Sequence, residues 1–259
     1  MAFLQIDFFS KALDVASAVN VIMPERQGGI GIAGAGEAGK PDVLYLLHGY
    51  SDDHTIWMRR TSVERYAAQH NLCVIMPAVN HSFYCNEQYG ENYWDYVSSE
   101  LPQVMGHFLQ ITDDPMHTYV AGLSMGGYGA LRLALAQPER FAAAASFSGA
   151  VDLVGILHEL QGSRLTNRQR ILGDVGSAKG SEVDLTWLMK QNAQAPRKPK
   201  LYLSCGTADS LFEQNKVILP MLKENGWDVT WYEEPGASHE WSFWDAQIKA
   251  FIDFIYKKA

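Results

Sequence analysis

Residues 118–130 constrain the fold of this chain more than any other stretch. An apolar run leads there into Gly122-Leu123-Ser124-Met125-Gly126, and a segment of small residues with helical character follows. A serine with glycines two positions before and after it is typical of a sharp strand-to-helix turn, because strand and helix approach too closely for a Cβ atom. The motif alone is a weak signal, and its strand and helix context makes it informative.

Such a turn, a nucleophile elbow, lifts the serine hydroxyl above the edge of a sheet. The backbone amide of Met125 falls in the first helical turn, where N–H groups lack partners within the helix. The sequence therefore predicts Ser124 as a nucleophile and the Met125 amide as a donor to a developing oxyanion.

Further apolar runs of strand length predict that the elbow belongs to a mostly parallel central sheet with helices on both faces. They cover residues 43–47, 72–77, 141–149, 200–206 and 229–235, with helical segments at 56–70 and 93–111. Alternating patterns at residues 3–10 and 12–23 predict an N-terminal antiparallel hairpin. No Pro- or Ser-rich linker interrupts the chain, so residues 1–259 are interpreted as one α/β domain.

The run at 43–47 ends in His48-Gly49-Tyr50-Ser51, at the strand end where a second oxyanion donor is expected. We assign that donor to the amide of Tyr50, with the amide of Ser51 as the alternative. For the His48 side chain a structural role, bracing the turn from a buried position, is favoured over acid–base work.

Two late strands are each followed, three or four residues on, by a polar side chain: Asp209 after one and His239 after the other. A serine hydroxyl needs an imidazole to take its proton, and the imidazole needs a carboxylate to fix its tautomer. The order Ser124, Asp209, His239 is that of an α/β-hydrolase triad, on loops at one sheet edge. His81 is kept as the rival base.

Two segments are predicted to border this edge. The loop at residues 78–92 brings Phe83, Tyr84 and Tyr89 toward it, and these aromatic side chains are predicted to shorten a substrate pocket. The alternative is that they are core or solvent-facing and that the pocket is long. Residues 150–199 are longer than a crossover needs and contain two helical segments, near 153–160 and 182–191, with Arg164, Arg168 and Arg170 between them. A partial cap over the site and a peripheral excursion remain equal alternatives for this insertion.

Composition narrows the functional classes. The formal net charge of −8 argues against binding to nucleic acid or to anionic membranes. The chain begins without a basic and apolar leader pattern, and its three cysteines lack metal-site spacing, so we expect a cytoplasmic protein without disulfides or a metal. Gly34 and Gly36 to Gly39 formally match a dinucleotide fingerprint, but a strand rather than a helix follows, which favours a mobile hairpin loop.

Four blocks together resemble the esterase D family, also called the "Putative esterase" family, and most of all its tributyrin esterases. The blocks are His48 to Trp57, Gly122 to Ala130, Cys205 to Asp209, and His239-Glu240-Trp241. The resemblance implies an α/β-hydrolase fold, carboxylesterase activity on short acyl esters without a cofactor, a triad of Ser124, Asp209 and His239, and an oxyanion hole from the Tyr50 and Met125 amides.

Family membership leaves the substrate open. A thioesterase of the S-formylglutathione hydrolase kind, and feruloyl or acetylxylan esterases, are alternatives within the same family. A binding module without catalysis is the alternative of another class, and the complete triad argues against it. A small-molecule ester is the expected partner, and the sequence leaves open whether the chain forms a homo-oligomer.

Overall fold

The computed structural model describes residues 1–31, 34, 39–159, 169–173, 176 and 178–257. These residues include an eight-stranded sheet made of β1 (Ala2–Ser10), β2 (Val15–Met23), β3 (Asp42–Leu47), β4 (Leu72–Pro77), β5 (Thr118–Leu123), β6 (Ala143–Phe147), β7 (Lys200–Gly206) and β8 (Val229–Glu234). Side by side, the strands run in the order β1-β2-β4-β3-β5-β6-β7-β8.

Strand directions agree with the sequence-based prediction. The six strands β3 to β8 are parallel to one another. The hairpin of β1 and β2 is antiparallel, and β2 joins it antiparallel to β4. The carboxyl ends of the parallel strands therefore meet at one edge of the sheet, where ligands are met in folds of this kind.

Helices cover both faces of the sheet. Within the described residues they include α1 (Ile56–Arg60), α2 (Val63–Ala67), α3 (Tyr93–Asp95), α4 (Leu101–Phe108), α5 (Met125–Ala136), α6 (Leu153–Glu159), α7 (Leu185–Gln191), α8 (Phe212–Glu224) and α9 (Trp241–Tyr256). Side chains of α4, α5, α7 and α8 pack on one face, and those of α1, α2 and α9 pack on the other.

Alternation within β3 shows why its sequence is apolar throughout. Val43, Tyr45 and Leu47 point into the core on the α5 side, whereas Leu44 and Leu46 point into the core on the α9 side. All five are buried, as expected of a parallel strand that is covered on both faces.

Two predicted helices differ from the structure in detail. The segment predicted at 56–70 is divided into α1 and α2, because the Ser62 amide donates to the Asp245 carboxylate of α9 instead of continuing the helix. The segment predicted at 93–111 ends at Phe108, and a π-helical turn at Tyr96–Glu100 links α3 to α4. Pro102 follows this turn and has no N–H to give, which suits the altered hydrogen-bond spacing.

The insertion contains both predicted helices within the described residues. They are α6, and α7 with Asp184 as its N-cap, whose carboxylate accepts the Thr186 amide at 2.8 Å. Arg164, Arg168 and most of the glycine-rich loop predicted before β3 lie outside the described residues. Among the described residues, no helix is both long and apolar enough to cross a membrane.

The glycines of the elbow generate a stability prediction. A Cβ on Gly126 would lie 2.4 Å from the Leu47 carbonyl oxygen, so Gly126→Ala should lower the unfolding free energy by about 1–3 kcal/mol. Gly106 in α4 is the matched control, because a Cβ there meets nothing within 4 Å. Gly106→Ala should stabilise by about 0.5–1 kcal/mol. Urea denaturation of both variants checks this, and equal effects would contradict the close-packed elbow.

Candidate active site

Ser124 stands at the junction of β5 and α5 with a strained backbone. Its φ of 52° and ψ of −116° lie where side chains with a Cβ rarely occur. Three backbone hydrogen bonds hold it: its amide donates to the Phe147 carbonyl, and its carbonyl accepts from the Tyr128 and Ala150 amides. The turn is thus fixed from both β6 and α5, and the serine side chain is left partly exposed.

Glycine is required on both sides of this turn. A Cβ on Gly122 would lie 2.3 Å from the Gly126 carbonyl oxygen, and a Cβ on Gly126 would clash with the backbone of Leu47 and His48. The start of α5 consequently rests against the end of β3. This contact brings the turn after β3 beside the amide of Met125, the first residue of α5.

Asp209 and His239 are joined directly. His239 Nδ1 lies 2.8 Å from Asp209 Oδ2, with the carboxylate side chain buried and the imidazole 35% exposed. The two loops that carry them are bonded together, since the Ala208 amide donates to the Ala237 carbonyl. With a carboxylate at Nδ1, the proton sits on that nitrogen and Nε2 is left to accept one.

Opposing influences set the charge of Asp209. Burial raises the pKa of its carboxyl, but the hydrogen bonds from His239, the Leu211 amide and Ser148 outweigh burial and hold the pKa below its ordinary value. Asp209 is therefore ionised at neutral pH, as a residue that orients an imidazole must be.

Ser148 and Trp244 are site residues that the sequence reasoning missed. The Trp244 indole meets the His239 ring edge-on, with centroids 4.8 Å apart, and its Nε1–H donates to Ser148 Oγ at 3.2 Å. Ser148 itself has a left-handed backbone, with φ of 46°. Ser148 directly follows β6, at the same sheet edge as Asp209 and His239, and this position could have identified it from the sequence.

His48 has the structural role that was predicted. It is buried, its Nδ1–H donates to the Gly49 carbonyl at 2.7 Å, and its Nε2 accepts the Val79 amide at 3.0 Å. Burial lowers its pKa to about 4, so the ring stays neutral. The histidine thereby ties the turn that carries Tyr50 to the loop after β4.

The three aromatic residues assigned to a substrate pocket occupy different environments. Phe83 is nearly buried between Tyr50 and Tyr128, with ring centroids 5.6 Å and 6.2 Å away. Tyr89 is 71% exposed, and its amide donates to the Arg170 carbonyl. Phe83 thus lies beside the Tyr50 turn, whereas Tyr89 lies at the surface.

Tyr84 corrects the prediction that it lines a pocket. Its side chain is fully buried, its hydroxyl donates to the His48 carbonyl, and its ring lies against Gly129 of α5, where a Cβ would approach to 2.5 Å. Tyr84 is therefore part of the core beneath the site.

The rival base, His81, is exposed and stacks on the ring of Tyr50 with a centroid distance of 4.3 Å. Among the described residues, it is in no ion pair with a carboxylate; the two histidines that are so paired are His239 and His117. The partner of His117 is Asp42, at the amino-terminal end of β3. The histidine–carboxylate pair at the carboxyl edge is therefore the one made by His239.

The insertion contacts the loop after β4. The Gln88 and Tyr89 amides donate to the carbonyls of Ile171 and Arg170, and the Arg170 guanidinium lies 2.5 Å from Glu87 Oε2. A cavity of about 420 Å³ lies between α6, α7 and α8. Its described lining includes Val151, Asp152 and Gln214 but not Ser124 or His239.

A model of the family "Putative esterase" matches residues 10–253. The chain is 30% identical over 268 residues to the acetyl esterase of Caldicellulosiruptor saccharolyticus, with 99% of each chain covered. The chain belongs to this esterase family. It is therefore a serine hydrolase that acts on carboxylic esters, in agreement with the resemblance drawn from its motifs.

Solved structures show the same relationship. Substrate-bound FphF, a fluorophosphonate-binding serine hydrolase of Staphylococcus aureus, is 31% identical, with 99% of each chain covered and a TM-score of 0.89. The S-formylglutathione hydrolase FrmB of Staphylococcus aureus is also 31% identical over 99% of each chain, with a TM-score of 0.86. The esterase described here has the α/β-hydrolase fold of these neighbours.

The low pKa of His48 predicts how stability depends on pH. The ordinary value is about 6.5, so as pH falls the unfolded chain takes up a proton here before the folded chain does. Stability from this residue is complete above that value and is lost by pH 4, by about 3 kcal/mol in all. His48→Gln removes this titration. The difference in unfolding free energy between wild type and variant, measured by chemical denaturation, should therefore narrow as the pH falls from 6.5 to 4. A constant difference would contradict the neutral buried ring.

Proposed function

We propose that this esterase hydrolyses short-chain acyl esters through an acyl-enzyme formed on Ser124, with His239 as general base and Asp209 as its partner. The observation that supports this most is the 2.8 Å contact between His239 Nδ1 and Asp209 Oδ2 at the edge where the strained turn holds Ser124. Within the described part of the chain the Ser124 hydroxyl makes no hydrogen bond, so its contact with His239 belongs to the proposal.

The chemistry then runs in two halves. His239 Nε2 takes the proton of Ser124 as Oγ attacks the ester carbonyl, and the imidazolium is stabilised by ionised Asp209. The imidazolium gives its proton to the departing alcohol, which leaves the acyl group on Ser124. Water, deprotonated by the same imidazole, attacks the acyl-enzyme, and release of the acid restores the serine hydroxyl.

Backbone amides would hold the oxyanion of both tetrahedral intermediates. We assign this role to Tyr50 and Met125, with Ser51 as the alternative to Tyr50. The support is the packing of α5 on the end of β3, where Gly126 lies against the Leu47 and His48 backbone. The donors would therefore be held in place before the reaction, which is what makes such a site effective.

Ser124→Ala should lower kcat by about 10⁴-fold or more while leaving the melting temperature nearly unchanged, because the hydroxyl contributes nothing to the fold. His239→Ala should be about as damaging. The double variant should be little worse than either, because the two groups act as one unit. Turnover of p-nitrophenyl acetate by the three variants is the measurement.

Covalent labelling with a fluorophosphonate provides the control for this set. Wild-type protein should be labelled and Ser124→Ala should not. His81→Ala, which removes the rival base, should keep most of its activity. Loss of activity in His81→Ala with retention in His239→Ala would exchange the two roles and contradict the proposal.

We propose that the acyl pocket is short. Phe83 supports this, since it is held between Tyr50 at the oxyanion turn and Tyr128, one helical turn after Ser124. Asn80, Phe83 and Tyr84 all have positive φ, so the loop after β4 is strained to hold this ring in place. The similarity to a protein named acetyl esterase also favours a small acyl group.

The wild type should show its highest kcat/KM with acetyl to butyryl esters and a steep decline by octanoyl. Each methylene that fits contributes about 0.8 kcal/mol, whereas one that must displace a packed ring costs about 1–3 kcal/mol. Phe83→Ala should move the maximum toward longer chains. Rates with p-nitrophenyl esters of increasing length, below any micelle concentration, check this.

Tyr89→Ala is the matched control, because Tyr89 is an aromatic residue of the same loop but is exposed. It should leave chain-length selectivity as in the wild type. Equal kcat/KM for butyryl and decanoyl esters in the wild type would contradict the short pocket and leave the triad assignment intact.

A thioester substrate is the second candidate, favoured by the 31% identity to an S-formylglutathione hydrolase. The same nucleophile, base and oxyanion donors would serve it, because both reactions pass through an acyl-enzyme. Parallel kinetics with S-formylglutathione and p-nitrophenyl acetate separate the two, and a far higher kcat/KM for the thioester would favour this candidate.

We propose that the insertion partly covers the site. Its contacts support this. From α5, the Tyr128 hydroxyl donates to the Val183 carbonyl and the Arg132 guanidinium donates to the Glu182 carbonyl.

We also propose a cytoplasmic location, supported by three cysteines that are free and buried: Cys73, Cys85 and Cys205.

A further inference from the structure

The first strand forms one edge of the sheet. β1 pairs with β2 on one side, and among the described residues the backbone of positions 2–9 makes no hydrogen bond to any segment outside the hairpin. Alternate residues along this nine-residue edge strand therefore present N–H and C=O groups that point away from β2, which are a template for another strand.

Apolar side chains are concentrated on this hairpin. Three of the nine large apolar side chains that are exposed in the described residues lie there: Phe3 at 53%, Phe9 at 63% and Val15 at 54%. Leu4, Ile6 and Phe8, on the opposite face of β1, contact the core but are only partly buried. Both faces of the edge strand therefore have apolar surface left to cover.

The opposite edge of the sheet differs. β8 has six residues, ends before Pro235 and carries Glu233 and Glu234, the first of which lies 3.6 Å from Lys216. Charge, short length and a nearby proline are devices that prevent strand association at an edge. β1 contains a single charged residue, Asp7, and no proline.

We propose that the β1 strands of two copies of this chain pair antiparallel about a two-fold axis at Ile6, which joins the two sheets into one. In this register Phe3 faces Phe9 of the second copy, Gln5 faces Asp7, and Leu4 faces Phe8. Every pair then matches in chemistry: aromatic with aromatic, amide donor with carboxylate acceptor, and apolar with apolar on the core side.

Other registers lose this match. An axis at Asp7 places two carboxylates opposite each other, and an axis at Gln5 places Phe3 opposite Asp7. An axis between residues would pair the exposed face of one strand with the core face of the other. The two residues of each pair in the Ile6 register have the same parity, so their outward backbone groups coincide as an antiparallel ladder requires.

A charge exchange tests the interface and its register. Wild type should sediment as a dimer, and Phe3→Lys with Phe9→Lys should dissociate it, because lysines then face each other twice. Phe3→Lys with Phe9→Glu is matched in polarity but pairs opposite charges, and should bind about tenfold more tightly than the double lysine at low salt. Phe108→Lys, at an apolar side chain exposed on α4, should leave the dimer intact.

Esterase activity verifies folding of every variant, because four strand spacings of about 4.8 Å separate β1 from β5. A monomeric wild type at all concentrations, or equal dimerisation of the two charge variants, overturns the proposal. Should the variants fail to fold, amide hydrogen exchange of the wild type decides. The β1 amides that point away from β2 should gain protection as concentration rises, and concentration-independent exchange of these amides overturns the proposal.

Discussion

The close approach of β5, α5 and the end of β3 is the constraint on which the site depends. A residue with the backbone angles of Ser124 costs about 1–3 kcal/mol, and such a conformation persists only where the surroundings impose it. Here they do so through bonds to Phe147, Tyr128 and Ala150, and through glycines that let the helix touch the neighbouring strand. The elbow is therefore held rigid by its neighbours β3, β6 and α5, and the glycines of the motif let these elements come close enough to do so.

The His239 imidazole is supported from the opposite side of the sheet. Trp244 belongs to α9, which packs on the face away from α5, yet its indole meets His239 and bonds to Ser148. The buried carboxylate of Asp209 receives hydrogen bonds from both loops of the edge. The His239 imidazole is therefore held between the Trp244 indole and the Asp209 carboxylate, which leaves it little freedom to turn away from the carboxylate.

Features of the fold and site that depend on neighbouring residues can be predicted from the sequence, whereas features that depend on residues far apart in the chain cannot. The strands, the hairpin and the elbow follow from short patterns, since apolar runs and two glycines determine them. The burial of Tyr84 does not, because it depends on a space left by Gly129, far along the chain. For that reason the sequence alone predicts a pocket wall where the structure has a core residue. The break between α1 and α2 likewise depends on Asp245, in the last helix.

The insertion is attached to the rest of the fold largely through its own backbone. Tyr128 and Arg132 of α5 bond to the main-chain carbonyls of Val183 and Glu182, and the loop after β4 bonds to those of Arg170 and Ile171. Backbone acceptors are present whatever the side chains are. The scaffold can therefore keep this segment in place while its side chains change. Such changes need not disturb the elbow or the histidine–carboxylate pair, which are fixed by separate contacts.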